Sequence, residues 1–238
     1  DREDDLTKTL VSSAKDAGAG FSQLNMEILF QFLLGSVNPR LLPSIPLAPD
    51  GAAVTSKTDG AGADRFSVTD GNKLDGSGKT SVDFFRDFWR GHAQFSKFRH
   101  TEGITPVFTP QQLNTILVIF DPKHQQAMSE AFIQTQQAHL VPGAPASGAG
   151  VSNVILESGM KIILWPTPYL LGSDKWFMVL PNSHVKPLLR AEKEGLRDIQ
   201  YDSGNSDIAR LQGREGLVMW QRAGYAANLP LAIMEISN

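Results

Sequence analysis

The sequence predicts a mixed α/β chain, and three observations carry that prediction. Residues 3–35 keep an apolar spacing of three and four. A second stretch, opening at Ser81 and running through "VDFFRDFWRGHAQF", has the same period and is dense in aromatic residues. Between and after them stand short apolar runs bounded by Pro and Gly, such as "TILVIF", "KIILWP" and "KWFMVLP". The first two have the period of amphipathic helices, and the short runs have the length and composition of strands.

Each element follows in chain order. The first helix aligns Leu6, Leu10, Ala14, Phe21, Leu24, Ile28 and Phe32, apart from one gap. The acidic residues at its start suit the positive end of a helix dipole. Gly35 and the Asn38-Pro39 pair stop it. Some thirty residues make a rod of about 45 Å. Gly18 and Gly20 weaken the helix, which predicts a bend or a close neighbour there. Residues 38–80 are punctuated by Pro, Gly, Asp and Ser, as in "APDGAAVTS" and "DRFSVTDGNKLDGSGKTS", and predict short strands and tight turns. Ser81 is the expected cap of the second helix, whose broad apolar face carries Phe84, Phe85, Phe88, Trp89 and Phe95.

The turn-rich "HTEGITPVFTP" leads to "TILVIFDPKHQQAMSEAF". There an apolar strand reaches Asp121, which caps a helix whose first position is Pro122, where a missing N–H costs nothing. Met128, Ala131, Phe132 and Thr135 are expected to face inward, and His124 outward. "LVPGAPASGAGVSN" reads as an exposed loop of small residues. Strands "KIILWP", "KWFMVLP", "IARLQGREGLVMWQR" and "LPLAIMEI" complete the chain. No fixed-period repeat is visible, which argues against a solenoid.

Composition narrows the function classes. The 238 residues suffice for one large domain or two intimate ones, and a net charge of −3 offers no basic excess for gripping nucleic acid. With no cysteine, disulfides and thiolate metal sites are excluded. The longest apolar stretch, around Met26–Leu34, falls far short of the roughly 20 residues that span a bilayer. The opening "DREDD" argues against a signal peptide.

Several stretches imitate chemistry without completing it. "DGSGKTSVDFF" ends like a phosphate-binding loop, yet Lys73 stands where the first glycine is needed, and no hydrophobic strand precedes it. Gly18-Ala19-Gly20 and Gly60-Ala61-Gly62 begin dinucleotide fingerprints but lack the third glycine. "TDGNKLDG" resembles a calcium loop with Leu74 at a ligand position. The histidines His92, His100, His124, His139 and His184 form no H-x-x-x-H pair, so a helical zinc site has no support. No G-x-S-x-G elbow occurs. His100 with Glu102, an imidazole and a carboxylate, and Asp198 with Asp202, two carboxylates, are pairings that acid–base work would need to bring together. Arg190, Glu192, Lys193, Glu194, Arg197 and Asp198 read first as a solvated face, and second as an interface with a neighbouring copy.

From about residue 104 onward the order of elements resembles the major capsid proteins of tailed bacteriophages, the Hong Kong 97 fold. Within that family it is most similar to the Mu-like major head subunits. The resemblance rests on "TILVIFDPKHQQAMSEAF", then "GAGVSN", "MKIILWPT" and "KWFMVLPN", then a long charged segment and the finish "GREGLVMWQRAGYAANLPLAIMEI". The first helix then resembles the family's long spine helix.

The resemblance implies an α+β capsid fold with a spine helix, a peripheral domain and an axial domain. Residues 1–80 would hold the spine helix and a connection of the peripheral domain, 81–185 the axial domain, and 186–238 peripheral strands returning to it. The family's N-terminal arm and extended loop are not seen before the helix, so the isolated chain is expected to assemble poorly. A second assignment makes 49–80 the extended hairpin and 81–99 the spine.

The implied function is self-assembly into pentamers and hexamers of an icosahedral shell enclosing double-stranded DNA, with no catalysis, cofactor or metal. The loop with Ala144, Ser147 and Gly148 would lie near a capsomer axis, and the charges from Arg190 to Asp198 would face adjacent capsomers. Implied partners are copies of the chain, scaffold, portal and decoration proteins, and DNA held non-specifically, with no membrane. Assembly would take place in the host cytoplasm. An encapsulin-like compartment shell is the alternative, and a nucleotide-dependent enzyme using the "GSGKT" turn the second.

Overall fold

The computed structural model describes residues 2–35, 47–100, 105–132, 159–201 and 216–238, with backbone alone for 2–15, 17–18, 195–201 and 216–222. In chain order the helices are α1 (Arg2–Leu34), α2 (Ser81–Lys97), α3 (Pro110–Leu113) and α4 (Gln125–Phe132). The strands are β1 (Lys73–Asp75), β2 (Thr115–Phe120), β3 (Lys161–Pro166), β4 (Lys175–Val179), β5 (Leu188–Tyr201), β6 (Gly216–Ala227) and β7 (Ile233–Ser237). The fold is mixed α+β. The chain divides into two compact units, one of Asp1–Leu29 with Leu189–Ala226, the other of Phe30–Leu188 with Ala227–Asn238. The described residues of 30–80 group with the sheet rather than with most of α1, because their polar side chains bond into it.

The larger unit is built on a five-stranded sheet in the order β1-β7-β4-β2-β3. β1 runs parallel to β7 and β2 parallel to β3, while β4 pairs antiparallel with both β2 and β7. Alternation along each strand gives the sheet two faces. One face presents Ile116, Val118, Phe120, Trp176, Met178, Met234 and Ile236, all fully or almost fully buried. Against it lie Phe84, Phe88 and Phe95 of α2 and Met128, Ala131 and Phe132 of α4. The aromatic residues meet mostly edge to face, Phe88 on Phe132 at 5.0 Å for example. Each such side chain taken from water contributes about 1.5–3 kcal/mol. Phe85 and Trp89 share the α2 face but stay half-buried at its edge. Gly91 lets α2 come close: a Cβ there would lie 2.6 Å from Met178 Sδ.

The opposite face is partly polar. Glu235 is buried at its centre and receives hydrogen bonds from Thr55 Oγ1 and from Ser237 Oγ at 3.0 Å. Lys73 and Lys175 each approach it to 3.2 Å. Lys175 also donates to the carbonyl of Leu34 at 3.3 Å, satisfying one of the open carbonyls at the end of α1. Beside this network Phe30 stacks on Tyr169 at 5.1 Å and meets Trp165 edge-on at 5.9 Å. Residues Phe30 and Leu34 are thereby tied to the sheet, and Phe32 and Leu33 between them are buried.

Helix starts follow local chemistry. Thr80, one residue before the expected Ser81, caps α2, because its side chain and the Asp83 carboxylate each reach the other's backbone amide. Thr109 and Gln112 form the same box on α3, a single turn too short to stand out as a periodic pattern. Asp121 caps as expected, accepting from Lys123 N at 2.9 Å before a 3-10 turn that continues into α4.

Residues 49–80 hold one three-residue strand and one isolated bridge between Thr58 and Asp64, not an extended hairpin, and α2 is a core helix. "LPLAIMEI" splits into a 3-10 turn at Pro230–Ala232 and β7, since proline cannot donate to a ladder. Thr135 and residues 208–215 lie outside the described residues.

The smaller unit combines most of α1 with a two-stranded sheet of β5 and β6. The Tyr225 hydroxyl donates to Asn25 Oδ1, tying β6 to the helix. Among the described residues, a Cβ added at Gly20 would meet nothing within 4 Å.

Candidate functional site

The structure places the sequence candidates in three groups. Ala144, Ser147 and Gly148 fall outside the described residues. Arg190, Glu192, Lys193 and Glu194 lie on β5, where the first three are exposed and Glu194 is half-buried. Arg190 Nη1 stands 3.1 Å from Glu192 Oε2, as the two-residue repeat of a strand allows. An exposed pair of this kind is worth at most about 1 kcal/mol. Arg197 and Asp198 belong to the same strand, and their side chains fall outside the description.

The "GSGKT" turn and the Asp121 turn, far apart in sequence, meet at one place. Asp174 accepts from Lys79 Nζ at 2.8 Å and from Lys123 Nζ at 3.2 Å. These lysines hold the Asp174 carboxyl below its ordinary range, the Lys79 hydrogen bond contributing most. Asp121 is buried, which opposes its charge. The amides of Lys123 and Gly172, the second at 2.8 Å, outweigh that and lower its pKa. Lys123 loses solvation too, and Asp174 and Asp121 nevertheless raise its pKa. A phosphate-binding loop needs free backbone amides. Here the Thr80 amide and hydroxyl are taken by the Asp83 carboxylate, at 3.2 and 2.6 Å, which is lowered in turn, first by the hydroxyl.

The calcium-like "TDGNKLDG" is also a structural device. Asn72 is fully buried and donates to the carbonyls of Val54, Pro230 and Ile233, while its Oδ1 accepts from Ser56 N and Arg65. Arg65, likewise fully buried, grips Asp50 through Nε at 2.7 Å and Nη2 at 2.9 Å. Among the described residues no cluster of His, Asp and Glu could hold a metal ion. Also among them, no helix is long and apolar enough to cross a membrane. His124 is half-buried rather than outward, set edge-on to Phe84 at 5.4 Å. Burial lowers its pKa first, helped by Lys123, and burial alone lowers that of His92. Glu102 and Asp202, the proposed mates of His100 and Asp198, lie outside the described residues.

One feature of the larger unit was not among the sequence candidates. A depression of about 540 Å³ lies where the end of α2 meets the 66–68 turn and the approach to β7. The readable signal was "KFRH", three cationic or titratable side chains in four residues after an aromatic helix.

The sequence matches no protein-family model and no curated protein. Among solved structures the chain is similar to the capsid of the cyanophage P-SCSP1u, with a TM-score of 0.43 at 12% identity over 72% of this chain and 54% of that one. It is also similar to a virus-like particle from Pyrococcus furiosus, with a TM-score of 0.35 at 15% identity over 70% of this chain and 56% of that one. The chain thus spans just over half the length of each.

Proposed function

We propose that this chain is a shell subunit, the major capsid protein of a tailed phage, and that it turns over no substrate. Copies join as pentamers and hexamers of an icosahedral shell around double-stranded DNA, which they contact non-specifically. Ala144, Ser147 and Gly148 sit near the capsomer axis. Arg190, Glu192, Lys193, Glu194, Arg197 and Asp198 face the next capsomer. Scaffold, portal and decoration proteins complete the set of partners, and the shell forms in the host cytoplasm.

The observation that carries this reading is the β5–β6 sheet. It pairs a strand of 14 residues with one of 12, and among the described residues no third strand joins them. At about 3.3 Å per residue β5 runs roughly 46 Å. Strands usually have about five or six residues, and a two-stranded sheet is marginal in water by itself. Such a sheet gains stability only by lying on something else, and the part of α1 up to Leu29 shares the unit with it. Exposed charges of both signs at Arg190, Glu192 and Lys193 protect its edge in the free chain and suit a like-built neighbour in a shell. Many weak contacts of this kind close a shell by symmetry.

Electron microscopy of the purified protein, with sedimentation across a concentration series, tests the reading. Rings of five or six copies at the highest concentrations are the expected species, with closed particles rare. A chain that stays monomeric at every soluble concentration overturns it. Particles filled with protein instead of DNA would assign the chain to a compartment shell.

A further inference from the structure

The depression at the end of α2 has the make-up of a docking site. Its apolar wall includes Phe66, Leu229 and Leu231, which pack on the core yet remain only partly buried. Its mouth carries Lys97, Arg99 and His100, all exposed. Among the described residues none of these three has a carboxylate within ion-pair distance. Lys97 Nζ donates only to Gln94 Oε1 at 3.2 Å, and Arg99 uses Nη1 alone, on the carbonyls of Ser96 and Phe98.

The wall is held in a conformation that local preference opposes. Phe66 and Ser67 have φ of 61° and 56°, the left-handed region that a Cβ disfavours. Arg65, fully buried on five hydrogen bonds, fixes the turn and lies 4.8 Å over the Phe66 ring. Phe98 meets that ring edge-on at 5.5 Å. Strain kept by so many contacts marks a preformed surface.

We propose that this depression docks a segment of another polypeptide that carries a carboxylate beside a large aliphatic or aromatic side chain. The apolar side chain covers Phe66, Leu229 and Leu231, and the carboxylate meets Lys97 and Arg99. Each half of the site selects. A simple anion gains nothing from the apolar wall, a neutral apolar peptide leaves the cations unused, and a DNA duplex offers phosphates but no apolar side chain for the wall. The volume lies within the range of roughly 300–1,000 Å³ typical of ligand sites. The inference rests on the lining residues alone, all of which belong to the larger unit.

Fluorescence anisotropy with the full chain and three labelled peptides tests it: Leu-Asp-Leu-Glu-Phe, Ser-Asp-Ser-Glu-Ser and Leu-Lys-Leu-Lys-Phe. The first is expected to bind saturably, and the other two at least about tenfold more weakly. The exposed double variant Lys97→Glu/Arg99→Glu, its fold checked by circular dichroism, should weaken the first peptide by about tenfold or more. Equal binding of the acidic polar peptide overturns the proposal, as does no saturable binding of the first peptide or no effect of the double variant. A short DNA duplex that binds as tightly as the first peptide, and weakens in the same variant, also overturns it, in favour of a phosphate contact.

Discussion

Replacing Arg65 by Met would remove a guanidinium that is fully buried and makes five hydrogen bonds. The Asp50 carboxylate would lose both arms of its fork and keep backbone amides, among them that of Ala52 at 3.3 Å. The Ala53 carbonyl would lose its Arg65 bond, whereas Val54 O and Asn72 Oδ1 keep other donors. Removing one partner of a buried pair typically costs about 3–5 kcal/mol. Asp50 is partly open to water, which puts the expected cost at the lower end, about 3 kcal/mol. That is a large share of a total stability of roughly 5–15 kcal/mol. It corresponds to a midpoint lowered by roughly 6–12 °C in a chain of this size.

Urea unfolding followed by tryptophan fluorescence is the direct assay, because Trp89, Trp165 and Trp176 all belong to the unit that holds Arg65. Arg65→Lys keeps the charge but not the planar fork, and should recover less than half of the loss. A cost below about 1 kcal/mol for the Met variant, as for an exposed ion pair, would refute the reasoning. Full recovery by Lys would show that charge, not fork geometry, holds the segment. The pH dependence has a defined sign. Burial opposes the Asp50 charge, yet Arg65 keeps its pKa below the ordinary 3.8. Its contribution is therefore present above about pH 4 and is lost as pH falls through the depressed value. Asp50→Asn should flatten that acid limb.

Gly91→Ala should lower stability by about 1–2 kcal/mol, because overpacking against Met178 outweighs the gain in helix propensity. Thermal melts would show it, and a stabilised variant would mean that the helix–sheet contact has slack. Burial lowers the His92 pKa from 6.5, so its contribution is present above that value and is lost as pH falls through the depressed one. His92→Gln should remove part of the pH dependence of the melting midpoint below pH 6.5, and an unchanged profile would contradict it. Lys79→Ala breaks an exposed pair with Asp174 and should cost less than about 1 kcal/mol. Calorimetric titration of the unaltered protein with Mg-ATP should give no saturable heat. Nucleotide binding that the Lys79 variant abolishes would reinstate an enzyme reading of the "GSGKT" turn.

Period and punctuation alone determined where α1 and α2 lie, that Pro122 opens a turn into α4, and that β2, β3 and β4 are strands. These are local properties: spacing sets the buried stripe of a helix, and Asp121 or Thr80 can cap only the residues just after it. The cap of α2 falls one residue before Ser81 because the hydroxyls of Ser81 and Thr80 can both accept from a helix's first amides, and only the Asp83 carboxylate chooses between them.

Tertiary structure decided the rest. It put β7, the end of the chain, between β1 and β4, and gathered Lys73, Lys175 and Thr55 around Glu235. It turned two chemical look-alikes, "TDGNKLDG" and "GSGKT", into a buried hydrogen-bond hub and a helix cap. It also assembled Lys97, Arg99 and His100 opposite a strained Phe66–Ser67 turn. Sequence spacing cannot encode such gatherings, because the energy that makes them comes from burying groups distant in the chain against one another.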